Sequence, residues 1–190
     1  MVNSTKNRLA LALVGITVVA LSSIASGQVV NSGAQSVALT ATMSEALTLT
    51  LSGNAVSFTL TPGRPNNPGS TDVTVTTSWV LRPNRSAVTV NAYFNSSAAA
   101  LTDGSGNDIP SSAVSISDNG GAAAPLVNTV AFGGANAGLQ LRNTPINGQN
   151  KNASATDVVT FNIDLSSGTL PQLPSGNYTG TLNIQAQATP

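Results

Sequence analysis

The strongest constraint on this chain is a two-residue rhythm. In its closing stretch, SGNYTGTLNIQAQATP, the residues Tyr178, Gly180, Leu182, Ile184 and Ala186 alternate with Thr179, Thr181, Asn183, Gln185 and Gln187. That is the period of a strand with one apolar and one polar face. It recurs in SVALTATM (Val37, Leu39, Ala41, Met43), in EALTLTLS (Leu47, Leu49, Leu51) and in AVSFTL (Val56, Phe58, Leu60). TDVTVTTSWVL carries Val73, Val75, Trp79 and Leu81 in one parity, with Thr77 interrupting, and SAVTVNAYF carries Val88, Val90, Ala92 and Phe94. TDVVTFNIDL repeats the pattern with Val159, Phe161, Ile163 and Leu165. No long stretch shows a 3.6-residue period, so the expected class is all-β, an antiparallel sandwich or barrel.

Turn chemistry divides these runs. TPGRPNNPGS, with three prolines and two glycines, reads as a loop. RPNR between the Trp79 and Val88 runs predicts a hairpin joining them. Between Asn95 and Asn152 the pattern weakens, leaving AVSIS, LVNTVAF and LQLR as short strands among Gly, Ala and Asn.

The first residues follow a different logic. Lys6 and Arg8 precede an apolar run from Leu9 to Leu21, and Ala25 and Gly27 sit where a cleavage site wants small side chains. This is the layout of a secretory signal peptide, a short helix expected over residues 1–27. The run is shorter than the roughly 20 residues that cross a bilayer. Residues 28–190 then form a single domain, with no membrane segment after cleavage. Without Lys6 and Arg8, five basic residues face seven acidic ones. That balance argues against nucleic acid and anionic membrane surfaces as partners.

The chain has no cysteine and no histidine. Their absence removes disulfides, Ser-His-Asp and Cys-His triads and the common zinc sites together. The acids Glu45, Asp72, Asp103, Asp108, Asp118, Asp157 and Asp164 are scattered, so the protein is expected not to be an enzyme and to need no cofactor. In DGSGND, Asp103, Ser105, Asn107 and Asp108 are oxygen donors at a spacing suggestive of calcium, but the segment lacks the later glutamate of a complete calcium loop. Asp-Gly and Gly-Asn pairs also make turns for steric reasons, and the turn is the favoured reading. Trp79 is expected in the core by its parity, Tyr93 at the surface, where it would be available to surface glycans.

An exported chain that opens with ALTATMSEALTLTLSGNAVSFTL and closes with LPSGNYTGTLNIQAQA, carrying Gly176, Tyr178 and Gly180 as Gly-x-Tyr-x-Gly, resembles bacterial fimbrial subunits and spore coat protein U-like secreted proteins. The resemblance implies an immunoglobulin-like β-sandwich, a building block of surface fibres or coats that adds a strand of one subunit to the sheet of the next. It also implies location in the periplasm, at the cell surface or outside the cell. The residues give this separate support. Sheet edges are ordinarily guarded by charge, proline or bulges. Here Glu45 is the only charge from Val37 to Leu60, and none follows Ser175. The expected strand-pairing surface is therefore Val37, Leu39, Ala41 and Met43 against Tyr178, Leu182 and Ile184, within one chain or between copies or related subunits. A carbohydrate-binding or adhesive module is the alternative, resting on the Asn/Thr-rich outer faces.

Overall fold

The structure, a computed structural model, describes residues 32–190. The expected signal peptide lies outside these residues, and among them no helix is long and apolar enough to cross a membrane. Thr42–Pro190 forms one compact unit. It is an all-β antiparallel sandwich, interrupted by single 3-10 turns at Ser111–Ala113 and Leu170–Gln172.

The strands in chain order are β1 (Ala46–Leu51), β2 (Asn67–Pro68), β3 (Val73–Val80), β4 (Ala87–Tyr93), β5 (Leu101–Thr102), β6 (Asp108–Ile109), β7 (Val114–Asp118), β8 (Ala124–Pro125), β9 (Gly138–Pro145), β10 (Asn152–Ile163) and β11 (Asn183–Thr189). One sheet runs β1-β3-β10-β7-β8, with β2 joined to β10. The other runs β11-β4-β9, and β5-β6 is a small separate ribbon.

Alternation explains the layers. Val73, Val75 and Trp79 of β3, Val88, Val90 and Ala92 of β4, and Val159, Phe161 and Ile163 of β10 are all buried, as their parity predicts. Thr77 shares that parity and is fully buried too. The Trp79 indole donates to the Asn150 carbonyl at 2.8 Å, which satisfies its one polar atom.

Three sequence expectations need correction. β3 and β4 are not a hairpin: β3 pairs with β1 and β10, while β4 pairs with β11 and β9. The RPNR turn carries the chain from one layer to the other, and a short turn does not by itself distinguish that crossing from a hairpin. SVALTATM forms no strand; residues 32–44 are exposed and irregular, with Val37 82%, Leu39 90% and Met43 79% accessible. Alternation marks side chains that can share one face, and does not by itself supply the neighbouring strand that a β conformation requires. Finally, β11 pairs with β4 in register Ile184↔Ala92 and Ala186↔Val90, so its hydrogen-bonded neighbour in this chain is not an N-terminal strand.

A polar bridge crosses the sandwich interior. The Arg142 guanidinium of β9 pairs with the Asp157 carboxylate of β10, whose side chain is 2% exposed. Asp118 at the end of β7 lies beside them, and burial, followed by the Asp157 charge, pushes its carboxyl above the ordinary range against the opposing pull of Arg142. A carboxyl with a raised folded-state pKa penalises the fold once ionised, and the penalty fades as pH falls through the carboxylate range. Asp118→Asn is therefore expected to raise the melting temperature at pH 7. The gain over the parent should shrink toward zero as the pH of the melting series is lowered through that range.

Candidate functional site: a groove between two unpaired edges

Ala46 and Val80 of one layer and Ala87 and Thr189 of the other mark one end of the sandwich, where Arg85 bonds both Glu45 and the Ala188 carbonyl; the groove lies toward the opposite end. There β1 has ended at Leu51 and the chain turns through Ser52, Gly53 and Asn54 into Val56–Leu60. Val56, Phe58 and Leu60 point inward as predicted, yet they are only half-buried. Across from them Tyr178, Leu182 and Ile184, also half-buried, approach the start of β11. Between the two segments lies a groove of about 770 Å³ with a floor that includes Val73, Phe94, Phe161, Ile163 and Leu170.

Each rim is tied to the rest of the domain at one residue and has amides without a partner on either side of it. On the first rim, Ser57 accepts from the Ser70 amide at 2.8 Å, and its own amide donates to Ser70 Oγ at 3.1 Å. On the second, Thr179 exchanges two 2.9 Å bonds with Thr102. Adjacent residues of an extended chain send their backbone groups to opposite edges. Among the described residues, the amides of Val56 and Phe58, and of Tyr178, Gly180 and Leu182, have no hydrogen-bond partner. The groove thus has an apolar floor and hydrogen-bonding edges on both sides, the requirements of an extended peptide segment.

Gly176-x-Tyr178-x-Gly180 builds the second rim. Tyr178 donates its hydroxyl to the Pro174 carbonyl at 2.9 Å. A Cβ on residue 180 would lie 1.9 Å from the Ala100 carbonyl oxygen, so only glycine lets this strand sit down on the Ala100 backbone.

Of the residues expected to pair, Tyr178, Leu182 and Ile184 meet in this groove. Val37, Leu39, Ala41 and Met43 remain exposed. The sequence marked Val56, Phe58 and Leu60 as inward-facing, and their place on the opposing rim emerges only from the fold.

The Asp103 loop is a self-contained turn. Its Oδ1 accepts from the amides of Ser105 at 2.8 Å and Asn107 at 3.1 Å, and Oδ2 accepts from Asn107 Nδ2 at 2.6 Å. These bonds hold the carboxyl below its ordinary range. Asp108 sits apart on β6, paired with Thr102. Among the described residues no three acidic, His or Cys side chains gather as a metal site. Tyr93 is half-buried, its ring 5.9 Å from that of Phe132 and its hydroxyl donating to Gln185 at 2.9 Å.

Comparison with known protein families, with curated proteins and with solved structures finds no match to this chain.

Proposed function

We propose that the protein is an exported, non-enzymatic structural subunit of a bacterial surface fibre or coat, and that subunits join by strand donation. The observation that carries this reading is the coexistence, in one chain, of an incomplete sandwich and an unpaired alternating segment. The groove offers a floor of buried aliphatics with free backbone amides on both rims. Residues 36–43 offer Val37, Leu39, Ala41 and Met43 on one face and Thr40 and Thr42 on the other.

The donor of one subunit fills the groove of another rather than its own. β1 carries the chain from one end of the sandwich, at Ala46, to the groove end, at Leu51. Its length is roughly 17 Å. A segment rooted at Glu45 would spend most of its residues returning over that distance before its apolar side chains reached the groove. A one-way contact of this kind between identical subunits propagates as a filament wherever its rotation does not close a ring.

Magnitudes show what seating requires. Burying Val37, Leu39 and Met43 gains about 1.5–3 kcal/mol each. Ordering eight backbone residues costs about 1–2 kcal/mol each. Side chains alone do not cover that cost, so the backbone bonds to both rims are part of the binding.

Light scattering on the chain lacking residues 1–27 tests the proposal. The protein should form species larger than a monomer. Leu39→Asp should weaken association by about two orders of magnitude or more, because an apolar contact is replaced by a buried charge. Thr40→Asp, one residue away on the other face, should associate almost as the parent does. Equal effects at both positions, or a parent that stays monomeric at high concentration, would refute strand donation.

A further inference from the structure

The charged side chains of this sparsely charged protein are sorted by end. Around the root of the donor segment lie Arg82, Arg85 and Lys151 with a single acid, Glu45. Arg85 holds Glu45 through two bonds of 2.8 and 3.1 Å and reaches the Ala188 carbonyl at 3.4 Å. Lys151 donates to the Pro83 carbonyl at 3.0 Å. Arg82 lies 3.6 Å from Glu45 with its side chain 73% exposed. The groove end has the opposite balance: Asp72, Asp103, Asp108 and Asp164 against Arg64 alone.

The acids are at the rim and outer surface of this end rather than inside the groove. Asp72 adjoins the lining residue Val73 and Asp164 falls between the lining residues Ile163 and Leu165, so by alternation both face outward, where a docking surface would meet them. Asp103 lies against Gly176, whose added Cβ would come within 3.9 Å of the Asp103 Cβ. Hydrogen bonds from Ser166 keep the Asp164 carboxyl below its ordinary range, as those from Asn107 and Ser105 do for Asp103, so both remain charged in mild acid.

We propose that the basic end of one copy docks on the acidic groove end of a second copy, forming an electrostatic contact that steers the donor segment into place. This rests on the strand-donation reading and adds to it a second, rigid contact between subunits. The spacing follows from the chain. Only Ser44 and Glu45 separate Met43, the last apolar residue of the donor, from Ala46, the first residue of β1. Three extended steps reach about 10 Å. A seated Met43 therefore brings the cluster at Arg82 and Arg85 up to the rim of the neighbouring groove. That separation is close to the Debye length of roughly 8 Å at physiological ionic strength, where opposite charges still attract. Complementary patches of this kind act mainly on the rate of encounter.

The test is the time course of assembly, followed by light scattering on the chain lacking residues 1–27, at low and high salt. Assembly should slow about tenfold or more as salt rises. Arg82→Glu should slow it at low salt and flatten the salt dependence, and the swap Arg82→Glu with Asp72→Lys should restore much of the rate. Circular dichroism melting checks that each variant is folded, and Arg82→Gln replaces Arg82→Glu if the reversal unfolds the turn. An assembling protein whose rate ignores both salt and Arg82 would overturn the docking contact and leave strand donation standing. A parent chain that never assembles would overturn both.

Discussion

Asp157→Ala is expected to destabilise the domain, by up to about 3–5 kcal/mol, because it strips the Arg142 guanidinium of its bonded partner and leaves only the nearby Asp118 carboxyl to offset its charge. For a domain of this size each kcal/mol moves the melting temperature by about 2–4 °C. The measurement is thermal unfolding by circular dichroism. The informative comparison is the double variant Arg142→Met with Asp157→Leu, which removes both charges and puts apolar volume in their place. It should recover most of the loss or exceed the parent, since a buried ion pair seldom outperforms good packing. If the double variant is as unstable as Asp157→Ala, the bridge holds the two layers in register rather than merely neutralising itself. Arg142 comes from one layer and Asp157 from the other, which makes that outcome a meaningful alternative.

Gly180→Ala should cost at least about 2 kcal/mol and should also damage the groove. The added methyl group would fall 1.9 Å from a backbone oxygen, and backbone has no rotamer to move away. Relief requires lifting the strand, which breaks the paired bonds between Thr179 and Thr102 and displaces Tyr178 and Leu182 from the rim. Overpacking of this kind typically costs 1–3 kcal/mol before any hydrogen bond is lost. Gly176→Ala is the control, because its Cβ would meet nothing closer than 3.8 Å. Near-parent melting of Gly176→Ala beside a large loss in Gly180→Ala would assign the glycine pattern to close approach at one position. Similar melting of the two variants would contradict that assignment.

What the sequence made legible was the inside of each strand. Parity alone assigned Val75, Val90, Val159 and Ile163 to the core, and each is fully buried. It also set the class, because no helical period competes. Pairing was less legible, since it depends on contacts far apart in the chain. The Pro83 turn looks the same whether the next strand lies alongside or crosses to the other layer. The first third of β10, Asn152 to Ala155, was missed because Ala153 and Ala155 alternate with polar residues too weakly to register. LVNTVAF has the composition of a strand but contributes only the single bridge Asn128↔Gly138, as the chain there is occupied with following β9. Half of the candidate site was readable, because the Tyr178, Leu182 and Ile184 rim carries a strand pattern. The other half was hidden: Val56, Phe58 and Leu60 show the same pattern, but their missing partner appears only when the strands are placed in space.

The position of β10 has a consequence for how the molecule is made. It is the long central strand of the larger sheet, bonded to β3 on one side and to β2 and β7 on the other. Everything upstream therefore waits for a segment encoded late in the chain. During synthesis, β1 and β3 exist as a lone ribbon, which is marginal in water. Folding that depends on such distant pairings is slow. The emerging polypeptide is accordingly most vulnerable to proteases and to premature aggregation before Ile163 arrives, and a shielding factor would have its greatest effect in that interval.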